Sequence, residues 1–522
     1  MPKLQTDHLV RLILSLSKAE KRHFRLFVKR NQATGDILFL ILFDAIEKAG
    51  EYDEEAILKK HPQIKKRQLS NLKAHLYRQL LISLRLLHKN NYIDIDLRER
   101  IDYARVLYNK GLYRASLDIL ERVKEKALAY NQYGIVGDIL EFEKLIESQY
   151  ITRSIASKAD TLAKESEQIT QMFNKSHAFS NLALKMYSFY LKTGYAKNQE
   201  DHESVRHFFH QNLPPYPFEE LNFYGKIYYL QSYHWFYYIN QDFLHCYRYA
   251  QRWVDLFEEF PEMMKEEAPL YLKGIHSLLN ALFNLLHYQR FVEVISLLED
   301  VPNRMVMPKD NNVEGLFMLY KSIHQIKRHY LEGTFSDGIR LVDPIMKLIE
   351  EDTYGWDDHR VMVFYYRFAC LYFGSDDYSR AIDYLNLIIN QKTPDYREDI
   401  QSFARILNLI AHYELGNAQL VEYQIKSVYR FLLNMKEMHH VQRAIFSFLR
   451  KLPRTREEDL PPAFVKLKNE LVEIQKDPYE RRPFLYLDII SWLESKIEEK
   501  SVQSIVQAKH SSRQQRSWIS PS

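Results

Sequence analysis

The chain has 522 residues, 46% of them apolar and 27% charged, and its formal net charge is +4. A chain of this length exceeds what one compact core usually supports, so we expect several domains or a stack of repeats. Only 14 glycines and 17 prolines occur in it, which excludes a turn-rich β protein and favours long helices.

Cysteine usage and apolar runs indicate a cytoplasmic protein that does not enter the membrane. Cys246 and Cys370 lie far apart inside helical patterns, so a disulfide framework is not predicted. The longest apolar run, ILFLILF at 37–43, is well short of the roughly 20 residues that a membrane-spanning helix needs. An earlier apolar stretch is interrupted by Arg11 and lacks a small-residue cleavage site.

The amino-terminal part of the chain is basic and helical. Residues 1–90 carry 18 Lys and Arg against 9 Asp and Glu, whereas the remainder of the chain has a net negative charge. The pattern predicts a helix capped by Ser17, a helix that Gly50 ends, a short helix, and a long helix over 65–89. We therefore predict a basic N-terminal helical module over residues 1–95.

The long helix at 65–89 has an apolar leucine face and, roughly opposite, a basic face. A short helix followed by a longer basic helix is the outline of a DNA-binding helix-turn-helix, in which basic residues neutralise phosphates and an asparagine reads a base edge. The alternative is a cap that seals the first repeat and keeps its charges solvated. The face that would bind nucleic acid consists of Arg67, Asn71, Arg78, Arg85 and Lys89.

Residues 372–385 read YFGSDDYSRAIDYL and predict two helices joined by a short turn. Aromatic and small residues recur at steps of three and four on both sides of the Ser-Asp-Asp sequence at 375–377, whose residue types satisfy backbone groups at helix ends. Ala369 and Ala381 fall where two such helices must approach closely. One hairpin cannot bury its apolar face alone, so further copies are expected.

Further copies do occur along the chain. The segment YARVLYNKGLYRASLDIL at 103–120 repeats the pattern, and second helices open near residues 243, 291, 335 and 378, at steps of 48, 44 and 43. The pattern in the 372–385 hairpin is carried by Tyr365, Phe368, Ala369, Tyr372, Ala381 and Leu385. In these positions the chain resembles the tetratricopeptide repeat family.

This resemblance implies an all-α fold, a tetratricopeptide-like α-solenoid of antiparallel helix hairpins. The steps exceed the 34 residues typical of that family, which implies longer helices or connections and leaves HEAT-like pairing as the alternative. We predict helical repeats over 96–440 and capping helices over 441–499. Residues 500–522 are polar, and we predict that this tail is disordered.

The resemblance also implies that the first helix of each hairpin lines a concave groove that holds a peptide or a partner helix. Three sets of residues occupy these positions, each with the spacing of one helix face. They are Arg98, Ile101, Arg105 and Tyr108; Tyr228, Gln231, Trp235 and Tyr238; and Val363, Tyr366, Cys370 and Phe373. The sets do not reproduce the family's Lys and Asn clamp for chaperone tails. The alternative is that the aromatic side chains pack between repeats.

Sequence motifs for catalysis are absent: the chain has no glycine-rich phosphate loop, no Gly-x-Ser-x-Gly elbow and no His-Glu-x-x-His. We predict a non-catalytic scaffold that binds a protein or peptide, without cofactor or metal. The alternative is a nucleic-acid-binding or transcriptional regulator whose repeats sense a peptide, since bacterial regulators of that kind are similar in outline. An enzyme whose site forms only on folding is a third possibility.

Overall fold

The computed structural model describes residues 2–31, 38–89, 91–149, 158–305, 310–391, 398–434, 440–452, 455–480, 484 and 488–519. Within these ranges the fold is all-α, since helices and turns occur but no strand does. The chain divides into two compact units, Met1–Phe173 and Asn174–Ser522. The division lies inside the predicted repeat region and inside one long helix.

The first unit contains eight helices and the start of a ninth. They are α1 (Pro2–Ser15), α2 (Lys18–Asn31), α3 (Leu38–Ala49), α4 (Glu54–Lys60), α5 (Leu69–His88), α6 (Ile93–Asn109), α7 (Tyr113–Ala129), α8 (Tyr133–Gln149) and α9 (Lys158–Thr193). Helices α1 to α5, which lie within the predicted module, share one apolar core, and α6 to α9 share another.

Local signals fix the helix ends in the first unit where the sequence predicted them. Ser17 caps α2 in both directions, because its hydroxyl accepts from the Glu20 N–H at 3.3 Å and its own N–H donates to the Glu20 carboxylate at 2.7 Å. Gly50 ends α3 with a φ of 73°. The long basic helix begins at Leu69 rather than at 65, so Arg67 lies in a preceding 3-10 turn.

The second unit continues α9 and adds seventeen described helices. They are α10 (Gln199–Asn212), α11 (Phe223–Ile239), α12 (Phe243–Glu259), α13 (Pro261–Glu266), α14 (Ala268–Asn284), α15 (Tyr288–Arg304), α16 (Asn311–Glu332), α17 (Phe335–Gly338), α18 (Val342–Glu350), α19 (Asp358–Gly374), α20 (Tyr378–Ile389), α21 (Glu398–Glu414), α22 (Ala418–Asn434), α23 (His440–Lys451), α24 (Leu460–Ile474), α25 (Ile489–Glu498) and α26 (Val502–Ile519). No helix in the described ranges is long and apolar enough to cross a membrane.

In six hairpins of the described chain the first helix ends in the same turn. The middle residue of a three-residue connection has positive φ, and the N–H of the next residue reaches back to a carbonyl five positions earlier. Asp376, for example, has a φ of 64°, and the Asp377 N–H donates to the Tyr372 carbonyl at 2.9 Å. This is the Schellman motif, which satisfies carbonyls at a helix C-terminus. The positive-φ residues are Gly111, Asn131, Gln241, Leu286, Asp376 and Gly416.

The predicted second helices agree with the structure. Helices α12, α17 and α20 begin at the predicted residues 243, 335 and 378, and α15 begins three residues before the predicted 291. Ala369 and Ala381 are fully buried at the contact between α19 and α20, as their small size indicated. Short connections between contacting helices make each such pair an antiparallel hairpin.

The prediction of a disordered tail over 500–522 is wrong for residues 502–519, which form α26. Val502, Ile505 and Val506 form a buried stripe on one face of this helix. The backbone N–H and the hydroxyl of Ser336 donate to Gln503 Oε1 at 3.0 and 3.1 Å. The helix is ordered because this short apolar stripe, which the polar composition conceals, packs on the second unit.

Candidate functional site

The second unit contains two adjoining cavities. The large cavity has a volume of about 1000 Å³ and the small cavity about 260 Å³. The residues that line both are Phe283, Asn284, Tyr330 and Cys370, so the two cavities border the same side chains. The volume of the large cavity is typical of ligand-binding pockets in proteins, and that of the small cavity lies just below their usual range.

The large cavity is mostly apolar and lies between two groups of helices. One wall comes from α14, α16 and α19, through Phe283, Leu331 and Phe373. The other wall comes from α24 to α26, which contribute Val472, Ile490, Val502 and Val506. The cavity therefore depends on the C-terminal helix that the sequence did not predict.

Two amide side chains at the turn after α11 also line the large cavity. Asn240 uses its amide nitrogen to donate to the Phe236 carbonyl, and Gln241 donates in the same way to the Ala196 carbonyl. Their buried amide oxygens accept no hydrogen bond from the described residues. Buried acceptors without a partner cost free energy, so a donor that reaches them would be stabilised.

The small cavity is polar and basic. Lys327 on α16 and Arg367 on α19 line it, together with His276 and Asn280 on α14. Its remaining wall is largely aromatic and apolar and consists of Tyr190, Tyr195, Tyr238, Phe283, Ile323, Tyr330, Val363, Tyr366, Cys370 and Ile400. No Asp or Glu is found among the described residues that line the small cavity.

A chain of hydrogen bonds fixes the polar side chains of the small cavity. Lys327 Nζ donates to Asn280 Oδ1 at 2.5 Å, and Asn280 Nδ2 lies 2.9 Å from His276 Nε2. His276 Nδ1 in turn lies 2.9 Å from His324 Nε2. Because the amide nitrogen of Asn280 can only donate, His276 Nε2 accepts and the proton of His276 sits on Nδ1. Every hydrogen bond in this chain therefore points away from Lys327.

Both histidines of this chain are neutral near pH 7. Burial lowers the pKa of His276 well below its usual value, and the positive charges of Lys327 and Arg367 lower it further. Burial also lowers the pKa of His324, followed by the effects of His276 and Lys327. Burial is the main cause for both histidines, and the neighbouring cations act in the same direction.

The thiol that lines both cavities is protonated. Burial raises the pKa of Cys370 to about 12, so the thiolate that would act as a nucleophile is not populated near pH 7. The neighbouring Tyr330 hydroxyl donates to the backbone carbonyl of Arg367 at 2.6 Å. Burial also raises the pKa of Tyr330, so this hydroxyl stays neutral. These groups can bind and orient a ligand.

Five of the eight groove residues predicted in the second unit line the cavities. Tyr238, Val363 and Tyr366 line the small cavity, Phe373 lines the large one, and Cys370 lines both. The structure therefore brings together residues from α11 and α19 that are more than a hundred positions apart in the sequence.

The other three predicted groove residues of α11 pack against α9 or are buried. The ring of Trp235 lies 5.2 Å from both Tyr187 and Tyr190 of α9, measured between ring centroids. Gln231 is buried, and Tyr228 is half-buried, with its pKa raised by that burial. For these residues the structure favours the alternative of packing between helices.

The predicted groove residues of the first unit lie on α6 and face α8. The Arg105 guanidinium lies 3.6 Å from the ring centroid of Phe142, and the Tyr108 hydroxyl donates to Gln149 at 2.9 Å. Arg98 lies 4.0 Å from Asp138. Ile101 is half-buried against the core of α6 to α9. These contacts are between helices of one unit.

The residues predicted to bind nucleic acid lie in two different environments. Arg67, Asn71 and Arg78 are exposed. Arg85 and Lys89 instead lie 3.6 and 3.2 Å from the carboxylate of Glu99, which is largely buried. A carboxylate beside these two cations weakens their attraction for phosphates.

The sequence did not predict His276, Asn280, Lys327 or Arg367 as site residues. One signal for Lys327 was present, because Ile323 and Leu331, four positions before and after it on α16, are apolar and buried. A lysine inside such a stripe is unusual, since lysine is rarely buried unless it is paired. The other three residues show no comparable pattern.

Comparisons with the models of known protein families, with curated proteins and with solved structures find no match to this chain. In the described ranges, no group of three or more His, Cys, Asp or Glu side chains could hold a metal ion. The small cavity instead offers an ammonium, a guanidinium and amide groups, which donate hydrogen bonds.

Proposed function

We propose that this protein is a non-catalytic scaffold that binds a peptide segment of a partner in the large cavity of its second unit. The scaffold is a tetratricopeptide-like α-solenoid of helix hairpins. The shared Schellman turn of six hairpins supports the repeat, because the same backbone geometry recurs without the same residue types. The observation that supports the function best is the large, mostly apolar cavity with its two buried amide oxygens.

The lining of the large cavity suits a peptide. Its apolar walls accommodate side chains, while the buried amide oxygens of Asn240 and Gln241 can accept hydrogen bonds from backbone N–H groups. A ligand without N–H groups would leave these oxygens unsatisfied. The protonated thiol of Cys370 supports binding rather than covalent chemistry.

Selection from a random heptapeptide library displayed on phage, with the full chain as the target, tests this function. We expect an enriched peptide whose Kd, measured by calorimetry, rises at least about tenfold in Asn284→Trp, because Asn284 lines both cavities and a large side chain would fill them. Leu387→Trp is the matched control, since Leu387 is exposed on α20. Equal binding to the two variants would contradict the proposal.

A second candidate function, nucleic-acid binding by the first unit, is favoured only by the exposure of Arg67, Asn71 and Arg78. If this face binds B-DNA, Arg67→Glu with Arg78→Glu should lower the slope of log Kd against log salt by about 0.9 per lost phosphate contact. Arg85→Glu should have less effect, because Glu99 already lies beside Arg85. A wild-type protein that binds no DNA or RNA at low salt would remove this candidate.

A further inference from the structure

The exposed side of α5 in the first unit carries apolar side chains among its basic ones. Leu81 is 46% exposed, and Ile82 and Leu86 are each 38% exposed. None of the three is among the described apolar side chains that pack in the core of α1 to α5. Arg78 and Arg85 lie on the same side, four positions before and three positions after Ile82. We call this surface the α5 face, and it consists of Arg78, Leu81, Ile82, Arg85, Leu86 and Lys89.

The α5 face has an excess of positive charge. Residues 65–89 contain seven Lys and Arg but no Asp or Glu. Arg78 forms no salt bridge with a described residue. Glu99 of α6 lies 3.6 Å from Arg85 and 3.2 Å from Lys89, so one carboxylate contacts two cations. The face therefore attracts negative charge, most strongly at low salt, because ions screen exposed charges.

A cavity of about 330 Å³ continues this surface beyond Lys89. Its lining includes Arg100 of α6 and Arg122 of α7, together with the carboxylates of Asp96 and Glu99. Each carboxylate already lies within 3.6 Å of two cations. Arg122 is exposed, donates from Nε to a backbone carbonyl one turn earlier, and forms no salt bridge with a described residue. Its remaining N–H groups can therefore bind an external carboxylate.

We propose that the α5 face binds an amphipathic helix of a partner protein, in which apolar side chains are flanked by Asp or Glu. The face from Arg78 to Lys89 is about 16 Å long, which matches about three turns of a helix. Apolar side chains of the partner would cover Ile82 and Leu86, as in other complexes of an amphipathic helix. Its carboxylates would pair with Arg78 and, at the cavity, with Arg122. This inference concerns the first unit and does not depend on the cavities of the second.

The composition of the α5 face favours this partner over other ligands. A second copy of the chain that paired through the same face would bring the arginines of both copies together. Nucleic acid offers phosphates for Arg78 but no apolar cover for Ile82 and Leu86. An anionic membrane would cover these side chains, but its phosphates would also meet the carboxylates of Asp96 and Glu99. An acidic amphipathic helix supplies apolar contacts and separate carboxylates together.

The test uses the full chain and a fluorescent three-heptad peptide. The peptide has Leu at the first and fourth positions of each heptad and Glu at the positions beside them, and repulsion between the Glu side chains keeps it monomeric. One control peptide has Lys in place of Glu, and the other has Ser in place of Leu. We expect the acidic peptide to bind at least about tenfold more tightly than either control, measured by anisotropy at low salt. Equal binding of the three peptides, or no binding, would overturn the inference.

Substitutions at exposed positions assign the binding to the α5 face without disturbing the core. Ile82→Gln with Leu86→Gln should weaken binding of the acidic peptide at least about tenfold. Leu145→Gln is the matched control, because Leu145 on α8 is 39% exposed. Arg78→Glu should weaken binding about threefold or more, whereas Arg114→Glu, at an exposed position of α7, should not. A double variant that binds as tightly as the wild type would show that the peptide binds elsewhere.

Competition experiments separate the other ligands. A short DNA duplex and vesicles of phosphatidylglycerol should bind the wild type more weakly than the acidic peptide does. Tighter binding of either one, lost in Arg78→Glu, would overturn the inference in favour of nucleic acid or a membrane. A dimer that sediments as such and dissociates in the variant with Ile82→Gln and Leu86→Gln would show that a second copy covers the face. Asn284→Trp should not change binding of the acidic peptide, so this inference and the proposed function fail separately.

Discussion

A half-buried lysine in the first unit and a buried lysine in the second have different surroundings. In the first unit, Lys124 on α7 lies 2.9 Å from the carboxylate of Glu143 and 3.2 Å from that of Glu165. In the second unit, Lys327 on α16 donates to the neutral amide of Asn280 and lies against the ring of Phe283. Lys124 is thus paired with two carboxylates, whereas Lys327 is hydrogen-bonded to an amide and lines the small cavity.

The pKa values of lysines in the two units are shifted in opposite directions. Burial lowers the pKa of Lys124, but the hydrogen bonds and charges of Glu143 and Glu165 outweigh burial and raise it. In the second unit, burial lowers the pKa of Lys273 on α14. Nearby carboxylates favour the charged form of a lysine, whereas burial disfavours it.

The largest expected effect is therefore on the first lysine. Lys124→Met should destabilise the first unit by about 3 kcal/mol, because it leaves two carboxylates partly buried without their cation. Lys327→Met should cost less, about 1 kcal/mol, because it leaves the neutral amide oxygen of Asn280 without its donor. Urea unfolding of both variants measures the difference, and equal losses of stability would contradict the comparison.

The buried histidines of the second unit predict a pH dependence of similar size. Burial lowers the pKa of His234 to about 4 in the folded state, against roughly 6.5 in the unfolded state. Below pH 6.5 the unfolded state binds more protons, so stability should fall between about pH 6.5 and 4, by on the order of 3 kcal/mol for this residue. Burial also lowers the pKa values of His276 and His324, so these residues should add to the loss of stability at low pH.

The control for this pH effect is His234→Gln, which cannot titrate. The urea midpoint of the variant should depend less on pH between 6.5 and 4 than that of the wild type. Glu332 and Glu494 have lowered pKa values, so their contribution is lost only as pH falls below about 4.5. A wild-type midpoint that is constant down to pH 4.5 would show that these histidines are not held neutral by the fold.

Trp235→Ala separates packing from binding in the second unit. The ring is half-buried against Tyr187 and Tyr190, so its loss should cost about 2 to 3 kcal/mol, somewhat less than truncation of a fully buried aromatic residue. The selected peptide should still bind the folded variant, because Trp235 is not among the residues that line either cavity. An unchanged melting temperature together with lost peptide binding would instead show that Trp235 contacts the peptide.

The smallest expected effect concerns the hairpin turns. The turn after α6 in the first unit has Gly111 in the left-handed conformation, whereas the turn after α14 in the second unit has Leu286 there, with a φ of 56°. Leu286→Gly should stabilise the second unit by about 1 kcal/mol, because a side chain is strained at positive φ. Leu286→Ala keeps the strain and should show no such gain in thermal unfolding.

The sequence predicted where the hairpins lie better than how their turns are built. Ser17, Gly50 and the residue types around 378 are local signals, and the helices they predict are present. Asn131, Gln241 and Leu286 adopt the same positive φ as Gly111, yet none of them is a glycine. Hydrogen bonds to the preceding helix impose that conformation, and local residue type does not reveal it.

The candidate site was only partly predictable. Val363, Tyr366, Cys370 and Phe373 follow from helix periodicity, because each lies on one face of α19. The basic residues do not, since α14, α16 and α19 each contribute one or two side chains that meet only after folding. The wall formed by α26 was missed because Val502, Ile505 and Val506 are too few to predict a helix in a polar segment.

The most direct measurement of the central claim is an experimental structure of the full chain with the selected peptide bound. We predict peptide density in the large cavity between α14, α16, α19 and the C-terminal helices. A peptide bound on the first unit, or one bound outside this cavity, would contradict the account.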